Sequence, residues 1–155
     1  MKIVAATDHT KRSAAAGLAL KLWPEHTRSE MEADLKEHCQ AGGVVFLAQE
    51  ENSLVGFAQC GLRHDYVEGA YTSPVGYLEG IFVLPEHRRR GVASALIDEM
   101  ISRAAALELA FLSLEVRASN SPAIALYRGK GFVDVGVRPG YYEKPAEDAI
   151  IMNLY

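Results

Sequence analysis

Two rhythms of apolar and polar positions run along this chain. Val92, Leu96, Met100 and Ala104 recur at four-residue spacing, with Ile97 and Ile101 beside them. That period predicts a long helix over Ala93–Leu107 with one buried stripe. Shorter apolar runs at Val44–Gln49 and Leu54–Leu62 flank a Glu51-Asn52-Ser53 turn and predict a β-hairpin. Lys2–Ala6, Gly76–Leu84 and Phe111–Val116 read as further strands. Phe132–Val137 and Ala149–Leu154 read as the last two, separated by a polar loop carrying Tyr141, Tyr142 and Pro145. Lys11–Leu22 is a helical stretch ended by Trp23-Pro24. Ser29 and Glu32 have capping-box spacing for a second helix to about Gln40, which Gly42-Gly43 stops. Asn120-Ser121-Pro122 opens a final helix that runs to about Lys130 and stops at Gly131. The order β-α-α-β-β-β-α-β-α-β-β predicts one α/β domain over residues 1–155, a mixed sheet of about seven strands flanked by about four helices.

A chain of 155 residues can fill one core. With 49% hydrophobic and 23% charged residues it has the composition of a globular domain, and a net charge of −4 argues against a general nucleic-acid binder. The N-terminus MKIVAATDHTKRS lacks the apolar core of a signal peptide, and no long apolar run suggests a membrane span. A cytoplasmic location is the expectation. Cys39 and Cys60 form no disulfide framework and no metal-ligand spacing, so two reduced thiols and no metal are expected. The oligomeric state stays open, with a homodimer among the options.

Chemistry enters at His87–Ala93, the sequence HRRRGVA, which links the strand to the long helix. A glycine-bearing turn at a helix N-terminus aims backbone N–H groups and the positive end of the helix dipole at one spot. Arg88, Arg89 and Arg90 add charge, and Gly91 permits close backbone approach. The plain alternative is a solvated basic turn that caps a helix. The pattern Arg88-x-x-Gly91-x-Ala93 resembles the pyrophosphate loop of the GNAT superfamily of acetyl-CoA-dependent N-acetyltransferases. Asn120, Ala123, Leu126, Tyr127, Gly131 and Phe132 resemble the second GNAT signature, and the element order matches that fold across essentially the whole chain. The resemblance implies acetyl-CoA as cofactor, held by Ile81, Phe82, Val83, Arg88, Arg89, Arg90, Gly91, Val92, Ala93, Ser94, Asn120, Ala123 and Tyr127. Within the superfamily, residues 112–155 resemble the ribosomal-protein alanine N-acetyltransferases. There the residue matching Glu115 is proposed as base, and the one matching Tyr127 as the acid that protonates the leaving thiolate. A phenol suits that task, because it keeps its proton at neutral pH.

Residues 20–105 resemble instead the aminoglycoside 6′-N-acetyltransferases, through LWPEH (22–26), RHDYVEG (63–69) and SPVGYLEGIFVLPEHRRRGVA (73–93). The early helices and the loop before the fourth strand shape the acceptor pocket in GNAT enzymes, so this half points to an aminoglycoside acceptor. Strict alternation puts Glu79 on one strand face with Tyr77 and Ile81. A carboxylate inside an apolar strand is costly without a partner or a task, and Glu79 is a second candidate base. Trp23 and Tyr66 are candidate walls for a sugar ring, while Asp65, Glu68 and Glu79 are candidate holders of ammonium groups. The alternatives are a core anchor for Trp23 and a solvated loop for Asp65 and Glu68. A protein N-terminus remains the alternative acceptor.

Overall fold

Asp8 starts the first helix. Its carboxylate accepts a hydrogen bond from the Lys11 backbone N–H, and α1 runs from there over His9–Leu22. The computed structural model describes residues 1–63 and 74–155. Helix α2, Arg28–Gln40, begins one turn-fraction earlier than the sequence spacing suggests. Its capping box is Thr27 with Glu30, not Ser29 with Glu32. Glu32 is engaged elsewhere: its carboxylate accepts hydrogen bonds from the Ser13 hydroxyl (2.7 Å) and Arg28 (3.2 Å), which ties α2 to α1.

Seven strands form one sheet in the order β1-β2-β3-β4-β5-β7-β6. They are β1 (Lys2–Ala5), β2 (Val44–Glu50), β3 (Ser53–Arg63), β4 (Val75–Val83), β5 (Leu112–Arg117), β6 (Val133–Glu143) and β7 (Ala146–Leu154). Helices α3 (Val92–Ala106) and α4 (Ser121–Gly129) complete the fold, with a single 3-10 turn at Pro85–His87. The mixed sheet with four helices matches the expected architecture. The last hairpin differs. Residues 138–143, expected in a polar loop, extend β6, and Tyr142 and Glu143 pair with Glu147 and Ala146.

Two apolar clusters sandwich the sheet. Ala15, Ala16, Leu18 and Ala19 of α1 and Met31 and Leu35 of α2 pack with Phe57 on one face. Val92, Leu96, Ile97 and Met100 of α3 and Ile124 and Tyr127 of α4 pack with Leu114 and Phe132 on the other. The predicted four-residue stripe of α3 is thus its buried stripe. Each fully buried aromatic such as Phe57 contributes about 1.5–3 kcal/mol from apolar burial.

The only parallel pair among the described residues positions the site. β4 and β5 pair at Gly76↔Leu112 and Tyr77↔Ser113 and nowhere beyond. From Leu78 onward, the edge of β4 that faces β5 carries no ladder to it. β4 also holds a bulge. Gln59 pairs with Gly80 and Cys60 with Leu78, so Glu79 has no opposite residue on β3. The bulge corrects two expectations about this strand. Glu79 is exposed rather than buried in the apolar strand. Ile81 does not share its face: alternation resets, and Ile81 packs into the α3–α4 cluster.

Candidate active site

The basic turn folds as the sequence suggests. Arg89 and Gly91 both take left-handed backbone conformations, at φ 64° and φ 79°. Gly91 is the N-cap of α3, and no side chain caps that end. The first intrahelical bond runs from Ala95 N–H to the Gly91 carbonyl, so the N–H groups of Val92, Ala93 and Ser94 have no acceptor within the helix. They border a cleft of about 690 Å³. It is lined by Ile81, Phe82 and Val83 of β4, by His87, Arg88, Arg89 and residues 91–94, and by Asn120, Ala123 and Tyr127 of α4. A positive helix end, two arginines and free N–H groups at one mouth make an anion site, with the apolar side chains of Ile81, Val83 and Ala123 along the same cleft.

Not every residue of the turn faces the cleft. Arg88 lines it while its Nε donates to the Val83 carbonyl (3.0 Å), which clamps the turn onto the end of β4. Arg90 points elsewhere, 3.8 Å from the Glu50 carboxylate, and is not among the lining residues. His87, which sequence reasoning passed over, is a lining residue, and its Nδ1 lies 3.1 Å from Glu50. On the far wall, the Asn120 side chain accepts from the Ala123 N–H (3.3 Å) and caps α4. Tyr127 is 5% exposed, with its ring centroid 5.9 Å from that of Phe132. Burial, and then the neighbouring Tyr142, push its phenol up to about 12.

The candidate bases lie outside that cleft, in a polar patch contributed by β3 to β6. Glu115 is nearly buried, its side chain 7% exposed. One carboxylate oxygen accepts from Arg138 Nε at 3.1 Å, the other is closed to solvent, and the Tyr77 and Tyr141 phenols stand beside the carboxylate. The Tyr77 phenol is pushed above its ordinary range by burial and by the Glu115 carboxylate. Tyr141 is raised first by that same carboxylate and then by burial. Arg63 lies flat over Tyr77, its guanidinium carbon 3.4 Å from the ring centroid, and reaches Glu79 at 3.6 Å. Trp23 packs from α1's end against this part of β4, so close that a Cβ on Gly80 would stand 2.5 Å from its ring. It also meets Phe57 edge-on, with centroids 6.2 Å apart. Asp65, Tyr66 and Glu68 lie outside the described residues. Among the described residues no cluster of His, Cys, Asp or Glu is arranged to hold a metal, and no helix is long and apolar enough to cross a membrane. Both cysteines are free thiols raised by burial, Cys60 to about 12.

The chain as a whole has counterparts among known proteins. The family model described as "Acetyltransferase (GNAT) family" matches residues 12–132. The chain belongs to the GNAT acetyltransferase family. A relative from Stenotrophomonas maltophilia, named aminoglycoside N(6')-acetyltransferase type 1, is 36% identical over 87% of this chain and 88% of its own length. A protein of the same name from Salmonella typhimurium is 49% identical over 82 residues, and there the match spans only 57% of the relative's length. The ribosomal protein bS18 alanine N-acetyltransferase of Escherichia coli is 44% identical over 50% of this chain and 53% of its own. Among solved structures, the aminoglycoside acetyltransferase AAC(6')-Iy in complex with a bisubstrate analog superposes with a TM-score of 0.78 at 33% identity, covering 91% of this chain and 95% of that one. The Escherichia coli ribosomal-protein-S18-alanine N-acetyltransferase gives 0.76 at 27% identity, covering 99% and 92%.

The GNAT cofactor is acetyl-CoA, and this chain's residues fit it. The uncapped N–H groups of residues 92–94 and the two cleft-facing arginines suit a pyrophosphate. Ile81, Val83 and Tyr127 offer an apolar passage toward the unpaired edge of β4. Gly91 is required here for its backbone, since a Cβ there would meet nothing within 4 Å yet the residue holds φ 79°. Gly91→Val therefore strains the turn by about 1–2 kcal/mol and tilts the N–H groups away from the phosphates. The expected outcome is a raised acetyl-CoA KM in steady-state kinetics of the folded variant. An unchanged KM would remove the turn from the cofactor site.

Proposed function

We propose that the protein transfers the acetyl group of acetyl-CoA to the 6′-amino group of an aminoglycoside by direct attack in a ternary complex. The Glu115 carboxylate, held by Arg138 and flanked by the Tyr77 and Tyr141 phenols, carries the chemical part of this reading. The acceptor class rests on the relatives named for aminoglycoside acetylation, one of them 36% identical across most of the chain. Asp65 and Glu68 add carboxylates to the sequence just after β3. A cytoplasmic location goes with a cofactor made inside cells, and size-exclusion chromatography decides whether the enzyme works as a homodimer.

Acetyl-CoA supplies a thioester whose leaving group is a thiolate. The chain does the rest. Its cleft holds the cofactor and its patch holds the amine, and this proximity accounts for much of the rate. Glu115 takes the proton that the ammonium must lose, relayed through a flanking phenol or a water; Glu79, on the exposed bulge, is the second candidate. The backbone N–H groups within Ile81–Val83 that point away from β3, where β4 has no ladder to β5, are the donors available to the thioester oxygen. Tyr127 delivers a proton to sulfur from a phenol that stays protonated at every physiological pH.

Expression in a sensitive bacterium tests the reading. It is expected to raise resistance to kanamycin or tobramycin and to yield a product acetylated at the 6′ nitrogen. Soluble protein without resistance would contradict it. Protein N-terminal acetylation is the second reading. Arg138 and Tyr141 of the C-terminal arm reach Glu115, and that arm resembles the ribosomal-protein enzymes in sequence.

A further inference from the structure

Each candidate base in the patch carries an arginine. Arg138 holds Glu115 with a directed hydrogen bond at 3.1 Å. Arg63 holds Glu79 differently. The closest nitrogen-to-oxygen approach is 3.6 Å, an ion pair without a hydrogen bond, between side chains that are 36% and 33% exposed. Among the described residues, each of the two carboxylates of this patch is matched by a guanidinium, although the proposed acceptor is a polycation. Something has to give way when an ammonium arrives. Arg63 is the partner that can, because its guanidinium has a contact that does not depend on Glu79: it lies 3.4 Å from the centroid of the Tyr77 ring and keeps that support when the ion pair opens. Glu79 is also open to an incoming group. As the unpaired residue of a bulge it projects beside Gly61, where Glu79 Oε1 and the His38 ring edge lie 3.1 and 3.4 Å from the point at which a side chain would begin.

We propose that Arg63 is a specificity-determining gate, occupying the Glu79 carboxylate until an acceptor ammonium displaces it. The gate raises the cost of entry for every cationic acceptor. Acceptors with several ammonium groups can offset that cost, so the gate favours them over singly charged amines. The inference rests on the reading of the patch as the acceptor side.

The test uses Arg63→Met, which keeps an unbranched stem on Tyr77 and removes the charge, and Arg63→Lys, which keeps the charge. Acceptor KM, acetyl-CoA KM and kcat are measured with kanamycin and with an Ala-starting peptide. For whichever acceptor the wild type turns over, Arg63→Met is expected to lower KM by about three- to tenfold, the scale of one exposed ion pair plus the removed repulsion. Acetyl-CoA KM stays near wild type, and the acceptor KM becomes steeper in ionic strength as an uncompensated carboxylate appears. Arg63→Lys keeps the wild-type acceptor KM. In a Glu79→Gln background, Arg63→Met no longer lowers it. A folded Arg63→Met protein with an unchanged or raised acceptor KM overturns the gate, a raised value meaning that Arg63 binds the acceptor itself. If the wild type acetylates only the peptide, the aminoglycoside reading fails by itself, and the gate is judged on the peptide KM.

Discussion

Tyr127→Phe lowers kcat by about 10²–10⁴-fold, the range of a lost general acid, with little effect on stability or on acetyl-CoA KM. The ring is what the fold uses: Tyr127 is buried in the α3–α4 cluster against Phe132, and phenylalanine keeps that contact. Only the proton goes. Because burial holds the phenol up to about 12, the group is fully protonated below that value and is lost only as pH rises through it. The alkaline limb of the wild-type kcat profile, if there is one below pH 10, therefore belongs to another group and persists in the variant. Wild-type activity in Tyr127→Phe across the whole pH range would mean that water or another residue protonates sulfur.

Glu115→Gln has a comparable expected effect, a fall in kcat of about 10²–10⁴-fold. The carboxamide is nearly the same shape but accepts no proton, and it leaves the Arg138 guanidinium without its counter-charge. Acetyl-CoA KM is expected to hold, since Glu115 lies outside the cleft proposed for the cofactor. The discriminating comparison is Glu79→Gln. If Glu115→Gln retains kcat and Glu79→Gln loses it, the exposed bulge carboxylate is the base and the buried one is structural.

The cleft proposed for the cofactor was legible because it is local in sequence. One strand end, one turn and one helix start lie within residues 81–94, and one further helix supplies Asn120, Ala123 and Tyr127. Local chemistry dictates those shapes: glycine for a left-handed turn, asparagine for a cap. The patch was not legible in the same way. Arg63, Tyr77, Glu115, Arg138 and Tyr141 come from four strands and meet only through sheet register. That register includes Glu115 and Gly136 both opposite Ile151, on either side of β7. Placing Arg138 beside Glu115 also required β6 to continue past Val137, where its polar composition reads as a loop. The bulge at Glu79 has no sequence mark of its own, and one extra residue there sent Ile81 to the opposite face. The second helix shows the same limit at smaller scale. Thr27-Glu30 and Ser29-Glu32 both have capping-box spacing, and the Ser13–Glu32 hydrogen bond from another helix selects between them.

The most direct test is the kcat/KM of the purified enzyme for kanamycin and for an Ala-starting peptide, followed through acetyl-CoA-dependent thiol release in the same buffer. An aminoglycoside enzyme gives a ratio in favour of kanamycin of about tenfold or more, a difference of ~1.4 kcal/mol or greater in transition-state binding. Acetylation of the peptide with all 6′-amino aminoglycosides ignored would contradict it, and would make the likeness of residues 112–155 to the ribosomal-protein enzymes the better guide to substrate.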